Sequence, residues 1–420
     1  METYVSLSCV NCRSTFSKSE DLFRCPNCSG LLDPQYNYDL IKKYFDWKKI
    51  RARPRSIWRW YELLPIEKVD SIVSLGEGDT PLMKCKSLGT RLGLENLFIK
   101  NDGLNPTGSL KDRSISVGVS KARELGYKTV ACDSSGNKAA SISAYASRAG
   151  LLCFVFCPIS TPTQKLLQIL AYGGQLLLVD TDRNGLMTLF SELRRRKKDW
   201  YDLGLHNPFR HEGSKTYAYE IVEVFDGDVP DWILHPAGGS MSLSKNWKGF
   251  KELKKMDLIE KMPKLVGVQP EICAPIVRAY ETESDIVTPV KSGPTIAGGL
   301  SISNPGEAGN LTLQAIRESE GKAISVSEVE ILWGMQELGR EGIFAEPSGA
   351  VTIPALRRMV QSGIVKKLDR VVCIVTGSGF KDLRAIERQV AIPKPFPAEI
   401  SLLDEITEEY SRNSSGRDMR

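Results

Sequence analysis

The chain has 420 residues, 41% of them hydrophobic and 25% charged, with 56 lysines and arginines against 51 aspartates and glutamates. Such a length suits two or three domains around a large core, and no apolar run approaches the ~18 residues of a membrane helix. A net charge of +5 is small for this size and gives no reason to expect a nucleic-acid partner. The start, METYVSLSCVNC, lacks the basic and apolar regions of a signal peptide, which places the protein in the cytoplasm.

Taken in chain order, the first feature is four cysteines. Cys9 and Cys12 form one C-x-x-C pair, and Cys25 and Cys28 a second. Each pair can bite a metal from a tight turn, and four thiolates complete a tetrahedron with no open position, the pattern of structural zinc. Disulfides or unligated thiols are the alternatives. Residues 1–35 are too few for a core of their own, so a metal would supply their folding energy. The other six cysteines are scattered, several in apolar runs such as LLCFVFC and VVCIV, where buried reduced thiols are expected.

Residues 36–72 are mixed, and SLGEGDTPL (74–82) reads as a loop. LENLFIKND is a strand. Strands and helices then alternate: SISVGVSKARELG is helical, KTVACDSS a strand, NKAASISAYASRAG a helix, LLCFVFCP a strand, TQKLLQILAYGG a helix, QLLLVD a strand and GLMTLFSELRRRKKD a helix. The basic run Arg194–Lys198 reads as a solvated helix face. A second series follows from residue 215, with DWILHPA, KLVGVQP and RVVCIVTGS as strands. KTYAYEIVEVFDG, SLSKNWKGFKELKKM, EVEILWGMQELGREG and GAVTIPALRRMVQSG read as helices. The tail from 406 to 420 is polar and predicted to be disordered. Alternation of this kind predicts parallel sheet with helical crossovers.

Ligands in such sheets sit where strands end and helices begin. Four loops of that kind stand out: NPTGSLKDRS around Lys111, SSGN (134–137), HPAGGSMSL (235–243) and TGSG (376–379). Small residues there expose backbone N–H groups to a carboxylate or phosphate. Any one of these loops alone reads as an ordinary turn; what they share is their order and their place at strand ends.

The motifs SLGEGDTPL, NPTGSLKDR, SSGNKAAS, NPFRHEGSKT, NWKGFKEL, GIFAEPSGA and VTGSGFKD, in that order across residues 56 to 382, resemble those of the threonine synthases. These are fold-type II enzymes dependent on pyridoxal 5'-phosphate. WRWYELLP after a ribbon-like start is similar too. The resemblance implies an α/β architecture of two doubly wound domains, as in the tryptophan synthase β chain, behind a small N-terminal zinc ribbon. It implies a large cofactor-binding domain from 36–112 and 209–405, a small α/β domain from 113–208, and a homodimer acting on a small amino acid. Lys111 would form the Schiff base, and Asn137 would bond the cofactor's ring hydroxyl. Gly238, Gly239, Ser240, Met241 and Ser242 would cradle its phosphate, and Thr376 would meet the pyridine nitrogen. Ser134, Ser135, Lys138 and Arg210 would face the substrate. The implied reaction takes O-phospho-L-homoserine and water to L-threonine and phosphate.

Three positions depart from the family. Lys138 stands for a threonine, and either brings a cation to the site or points to solvent. Gly204 and Leu205 replace polar residues that assist the substrate phosphate. Met241 replaces a glycine in the cofactor-phosphate loop. These departures keep two other readings open: a related lyase or β-replacement enzyme, such as a serine or threonine dehydratase or an O-activated serine sulfhydrylase, and a non-catalytic relative whose ribbon binds a partner.

Overall fold

The computed structural model describes residues 3–414 apart from 162, 240, 388, 389, 391 and 394. The chain divides into two units, Met1–Leu383 and Arg384–Arg420. The first contains three sheets.

An antiparallel sheet at the N-terminus has the order β2-β1-β3, built from β1 (Tyr4–Cys9), β2 (Thr15–Ser17) and β3 (Leu32–Tyr36). The chain then crosses to a six-stranded sheet, order β12-β11-β10-β13-β5-β4. Its strands are β4 (Leu82–Lys84), β5 (Asn96–Asn101), β10 (Trp232–Pro236), β11 (Lys264–Pro270), β12 (Lys322–Val326) and β13 (Arg370–Val375). Between β5 and β10 the chain makes a four-stranded parallel sheet, order β8-β7-β6-β9, from β6 (Thr129–Asp133), β7 (Leu152–Pro158), β8 (Gln175–Val179) and β9 (Trp200–Asp202). The central strands are continuous apolar runs because helices cover both faces of a parallel sheet: Val371 to Val375 in β13 are all buried.

The structure departs from a purely parallel expectation at β4, which pairs antiparallel with β5. This three-residue strand is at the sheet edge, where a short antiparallel addition is readily tolerated. The region between 272 and 326, left without elements by the sequence pattern, holds the helices Pro275–Glu281 and Gly306–Glu318 and strand β12. The tail is likewise more ordered than its polarity suggests. Ile400–Ser414 is a helix, with Ile400, Leu403, Ile406 and Tyr410 recurring at nearly helical spacing; residues 415–420 lie outside the described residues. No described helix is long and apolar enough to cross a membrane.

The helices follow the expected local chemistry. Asn137–Ala149 buries Ala139, Ile142 and Ala146 and stops at Gly150, whose φ of +68° lets its N–H close on Ala146 and Ser147 carbonyls. Glu328–Arg340 opens with a reciprocal capping box between Ser327 and Glu330. One large core runs from Tyr4 and Leu7 through Tyr217 and Phe250 to Ile374, and a second, around Ile115, Tyr145 and Val155, fills the four-stranded sheet.

Candidate active site

Lys111 begins the helix Lys111–Glu124, directly after the loop that leaves β5. The residues beside it hold it by name. Asp112 accepts hydrogen bonds from the Thr107 N–H at 2.7 Å, Thr107 Oγ1 at 2.6 Å and Ser141 Oγ at 2.6 Å. Arg113, fully buried, grips Asp102 with Nε at 2.7 Å and Nη2 at 2.8 Å, and reaches Glu220 Oε2 at 2.9 Å. Such bidentate, charge-assisted pairing fixes the first turn of the helix. Gly108 takes φ +83°, and its carbonyl accepts from Ser378 N at 2.9 Å. Leu110 N donates to Thr376 O at 2.9 Å. The loop after β13 is thus stitched to the loop of Lys111, and Thr376 comes beside it although 265 positions separate them.

Two glycines bring Arg210 to the same place. A Cβ at Gly118 would lie 2.9 Å from Arg210 Cβ, and one at Gly213 would lie 1.9 Å from the Arg113 carbonyl oxygen. Only bare backbone allows the segment Arg210–Lys215 to lie this close to the helix of Lys111. Arg210 is buried; its Nε donates to Gly204 O at 2.7 Å, and Nη1 lies 3.5 Å from Ser114 Oγ. No carboxylate among the described residues lies within ion-pair distance of it, which distinguishes it from Arg113 and Arg59. Burial pushes its pKa down to about 10, partly offset by Asp202. Lys111 is pushed down to about 8, by burial first and by Arg210 next, with Lys138 adding and Glu346 opposing. A lysine so placed has a neutral fraction at physiological pH and can act as nucleophile or base.

Asn137 opens the helix after β6, and its Nδ2 donates to both carboxylate oxygens of Glu346 at 3.1 Å. Burial holds the Glu346 carboxyl above its usual range against the nearby lysines 381, 111 and 165. Glu346, within the motif GIFAEPSGA, was left without a role by the sequence pattern, yet it is the buried partner of Asn137. Ser134 and Ser135 sit half-buried in the turn before Asn137. Lys138 has its side chain 19% exposed, with Nζ 3.5 Å from Asp133, and its charge contributes to the lowered pKa of Lys111.

The last loop follows β10. A Cβ on Gly239 would lie 2.7 Å from Ile302 Cγ2, and one on Gly238 3.3 Å from the Gly299 carbonyl. The helix Ser242–Lys255 starts here, and its first-turn N–H groups have no intrahelical acceptor. Ser242 Oγ is 3.1 Å from Nε2 of the buried His235, whose pKa burial lowers to about 4, so the ring is neutral. Ser240 lies outside the described residues. Met241 has φ −76° and buries its side chain in a cluster with Leu31 and Ala308.

At the N-terminus, the four sulfurs of Cys9, Cys12, Cys25 and Cys28 lie within 4.8 Å of one another and form no disulfide. Cys9–Cys28 and Cys12–Cys25 are 3.4 and 3.6 Å apart, near the edge of about 3.8 Å that four Zn–S bonds of ~2.3 Å define. The remaining six cysteines are buried and free, as their apolar surroundings predicted.

Known proteins resemble this chain over most of its length. Residues 73–377 match the family model described as pyridoxal-phosphate dependent enzyme. A threonine synthase of Methanocaldococcus jannaschii is 38% identical over 96% of this chain and 99% of its own length. One of Methanosarcina acetivorans is 37% identical over 95% and 98%. Among solved structures, threonine deaminase isoform 2 of Solanum lycopersicum superposes with a TM-score of 0.66, at 21% identity over 80% of this chain and 94% of its own.

Proposed function

Because the chain belongs to the family of pyridoxal-phosphate-dependent enzymes, we propose that it is a threonine synthase, converting O-phospho-L-homoserine and water to L-threonine and phosphate. The observation that carries this reading is Arg210: a buried guanidinium without a carboxylate partner, held next to Lys111. A cation in that state is poised for an anion that arrives with the substrate.

The residues fit the cofactor. A nucleophilic amine stands in the cleft at Lys111, and a Cβ at Gly239 would press on Ile302 at 2.7 Å while one at Gly238 would be tight against Gly299 and Leu300. The uncapped start of Ser242–Lys255 is suited to a phosphate. Lys111, Asn137, Thr376 and the 238–242 loop would hold the group. When bound, pyridoxal phosphate supplies the electron sink that makes protons next to an amino-acid nitrogen acidic.

The chain's own residues do the rest. Lys111, with its lowered pKa, takes protons from the substrate's Cα and Cβ and returns them. Arg210 holds the phosphate that leaves Cγ and offsets the charge that develops on it. The backbone at Ser134 and Ser135, at the start of Asn137–Ala149, receives the substrate carboxylate. Lys138 adds positive charge on the side where Gly204 and Leu205 supply no side-chain donor. Four thiolates close the Cys9–Cys12–Cys25–Cys28 cluster around a structural zinc, with no position open for catalysis.

The test is incubation of the purified protein, saturated with cofactor, with O-phosphohomoserine. Threonine and inorganic phosphate should appear in equal amounts. Conversion of serine or threonine to a keto acid, with no turnover of O-phosphohomoserine, would transfer the site to the dehydratase reading.

A further inference from the structure

Two of the positions that depart from the family, Met241 and Leu205, meet in one place. With Leu31 and Ala308, Met241 forms a buried apolar cluster; Val10, Leu205 and Leu311 pack against it. Val10 lies between the first cysteine pair, and Leu31 follows the second. The metal-bearing end of the N-terminal sheet therefore rests on the back of two loops: 238–242, which faces the cofactor phosphate, and 204–211, which carries Arg210.

Polar contacts surround the apolar one. Asn11 Nδ2 donates to Glu307 Oε1 at 2.7 Å, Arg24 Nη1 lies 3.7 Å from Glu307, and Arg24 also contacts the His206 ring. From β3, Asp33 receives Lys248 at 3.0 Å and pairs with Lys245. The same two lysines bind Glu212, at 3.0 Å and 2.6 Å, and Tyr36 donates to Glu212 at 2.9 Å. Lys245 and Lys248 belong to the helix that starts at Ser242, and Glu212 is two residues from Arg210. A carboxylate of the ribbon and a carboxylate of the Arg210 segment thus share two lysines of the phosphate-loop helix.

We propose that the ribbon is a positioning element of the active site: its Cys-ligated end holds the 204–211 and 238–242 loops from behind, through Val10 and Leu31 on Met241 and Leu205, so that losing the metal weakens cofactor retention. The inference rests on the two readings above, that the cysteines hold zinc and that 238–242 holds the cofactor phosphate. Strands β1 and β3 are anchored in the main core by Tyr4, Leu7, Leu32 and Tyr36, but the turns that carry the cysteines, with Val10 and Leu31 beside them, have the metal as their cross-link. Loosening of those turns uncovers Met241, whose burial depends on Leu31 and Val10, and shifts the end of β3 where Asp33 meets Lys245 and Lys248. The loops in front lose the packing that keeps them in one arrangement.

The experiment uses the full chain. Zinc is first measured by elemental analysis; pyridoxal phosphate is then titrated into zinc-replete protein, chelator-treated protein, and chelated protein resupplied with zinc. Cofactor affinity should fall by about 5- to 50-fold on chelation and recover with zinc, and hydrogen exchange should quicken in peptides covering 204–215 and 238–250. Leu31→Ala, which keeps all four thiolates, should retain zinc yet bind the cofactor roughly 3- to 10-fold more weakly. Coupling is overturned if chelation speeds exchange only in residues 3–36, or if Leu31→Ala leaves cofactor affinity within twofold. Protein that carries no metal refutes the zinc ligation and the proposal with it, before any cofactor is added. Protein that holds zinc but binds no pyridoxal phosphate refutes the site reading instead.

Discussion

Arg210→Met separates the catalytic role of this residue from its structural cost. The methionine keeps the unbranched stem and removes the charge. In the native fold the guanidinium is buried beside Lys111 without an ion pair, and its pKa falls from 12.5 to about 10. At ~1.4 kcal/mol per unit, folding with this cation costs on the order of 3 kcal/mol. Its hydrogen bond to Gly204 O returns about 1–2 kcal/mol. The variant should therefore be as stable as the wild type or slightly more so in urea unfolding. Catalysis should move the other way. Loss of two charge-assisted bonds to a departing phosphate, at ~1.5–3 kcal/mol each, lowers kcat/KM for O-phosphohomoserine by about 10²- to 10⁴-fold. The affinity for the cofactor should be unchanged, because Arg210 is not among the groups proposed to hold it. A variant that keeps kcat/KM within about threefold would refute the assignment of the substrate phosphate to Arg210. One that unfolds with a loss of several kcal/mol would show that the guanidinium is a structural strut instead.

Two further outcomes follow from buried charge. Lys111 has a native pKa of about 8 against 10.5 for the free side chain. Between those values the unfolded chain holds a proton that the native, cofactor-free protein has released, so the Lys111 contribution to stability rises with pH from about 8 to 10.5. Urea unfolding of cofactor-free wild type and Lys111→Met across that window should show stability rising more steeply with pH, or falling less, in the wild type than in the variant; parallel curves would contradict the lowered pKa. Arg113→Leu leaves Asp102 and Glu220 buried with only Lys100 as cationic partner. It should cost roughly 3–5 kcal/mol, as breaking a buried ion pair does, whereas a loss below about 1 kcal/mol would mean that the network is not what holds the start of the Lys111 helix.

Short-range chemistry was legible in the chain itself. The alternation of apolar strands with capped helices depends on neighbours within about ten residues, and so does the C-x-x-C bite. The lock around Lys111 is only half local: Thr107 bonds Asp112 within NPTGSLKDRS, whereas Arg113 reaches Asp102 and Glu220 outside it. Local patterning failed where an element draws its stability from distant partners. Strand β12 is specified by its pairing with β11, and Glu346 becomes part of the site only because β13 brings its loop against Asn137.

Met241 and Leu205 show the division most clearly. Read along the chain, a methionine in a glycine run and a leucine before NPFR look like losses from two phosphate sites. In three dimensions their side chains turn backward, and with Leu31 they form the seat of the N-terminal ribbon. The motifs and their order carried the resemblance that implies the cofactor, and a lysine with exposed backbone N–H groups at strand ends is in keeping with it. What those two loops rest upon was decided only by tertiary structure, because burial is a property of the far side of a loop, and the residues that supply it lie between 67 and 231 positions away.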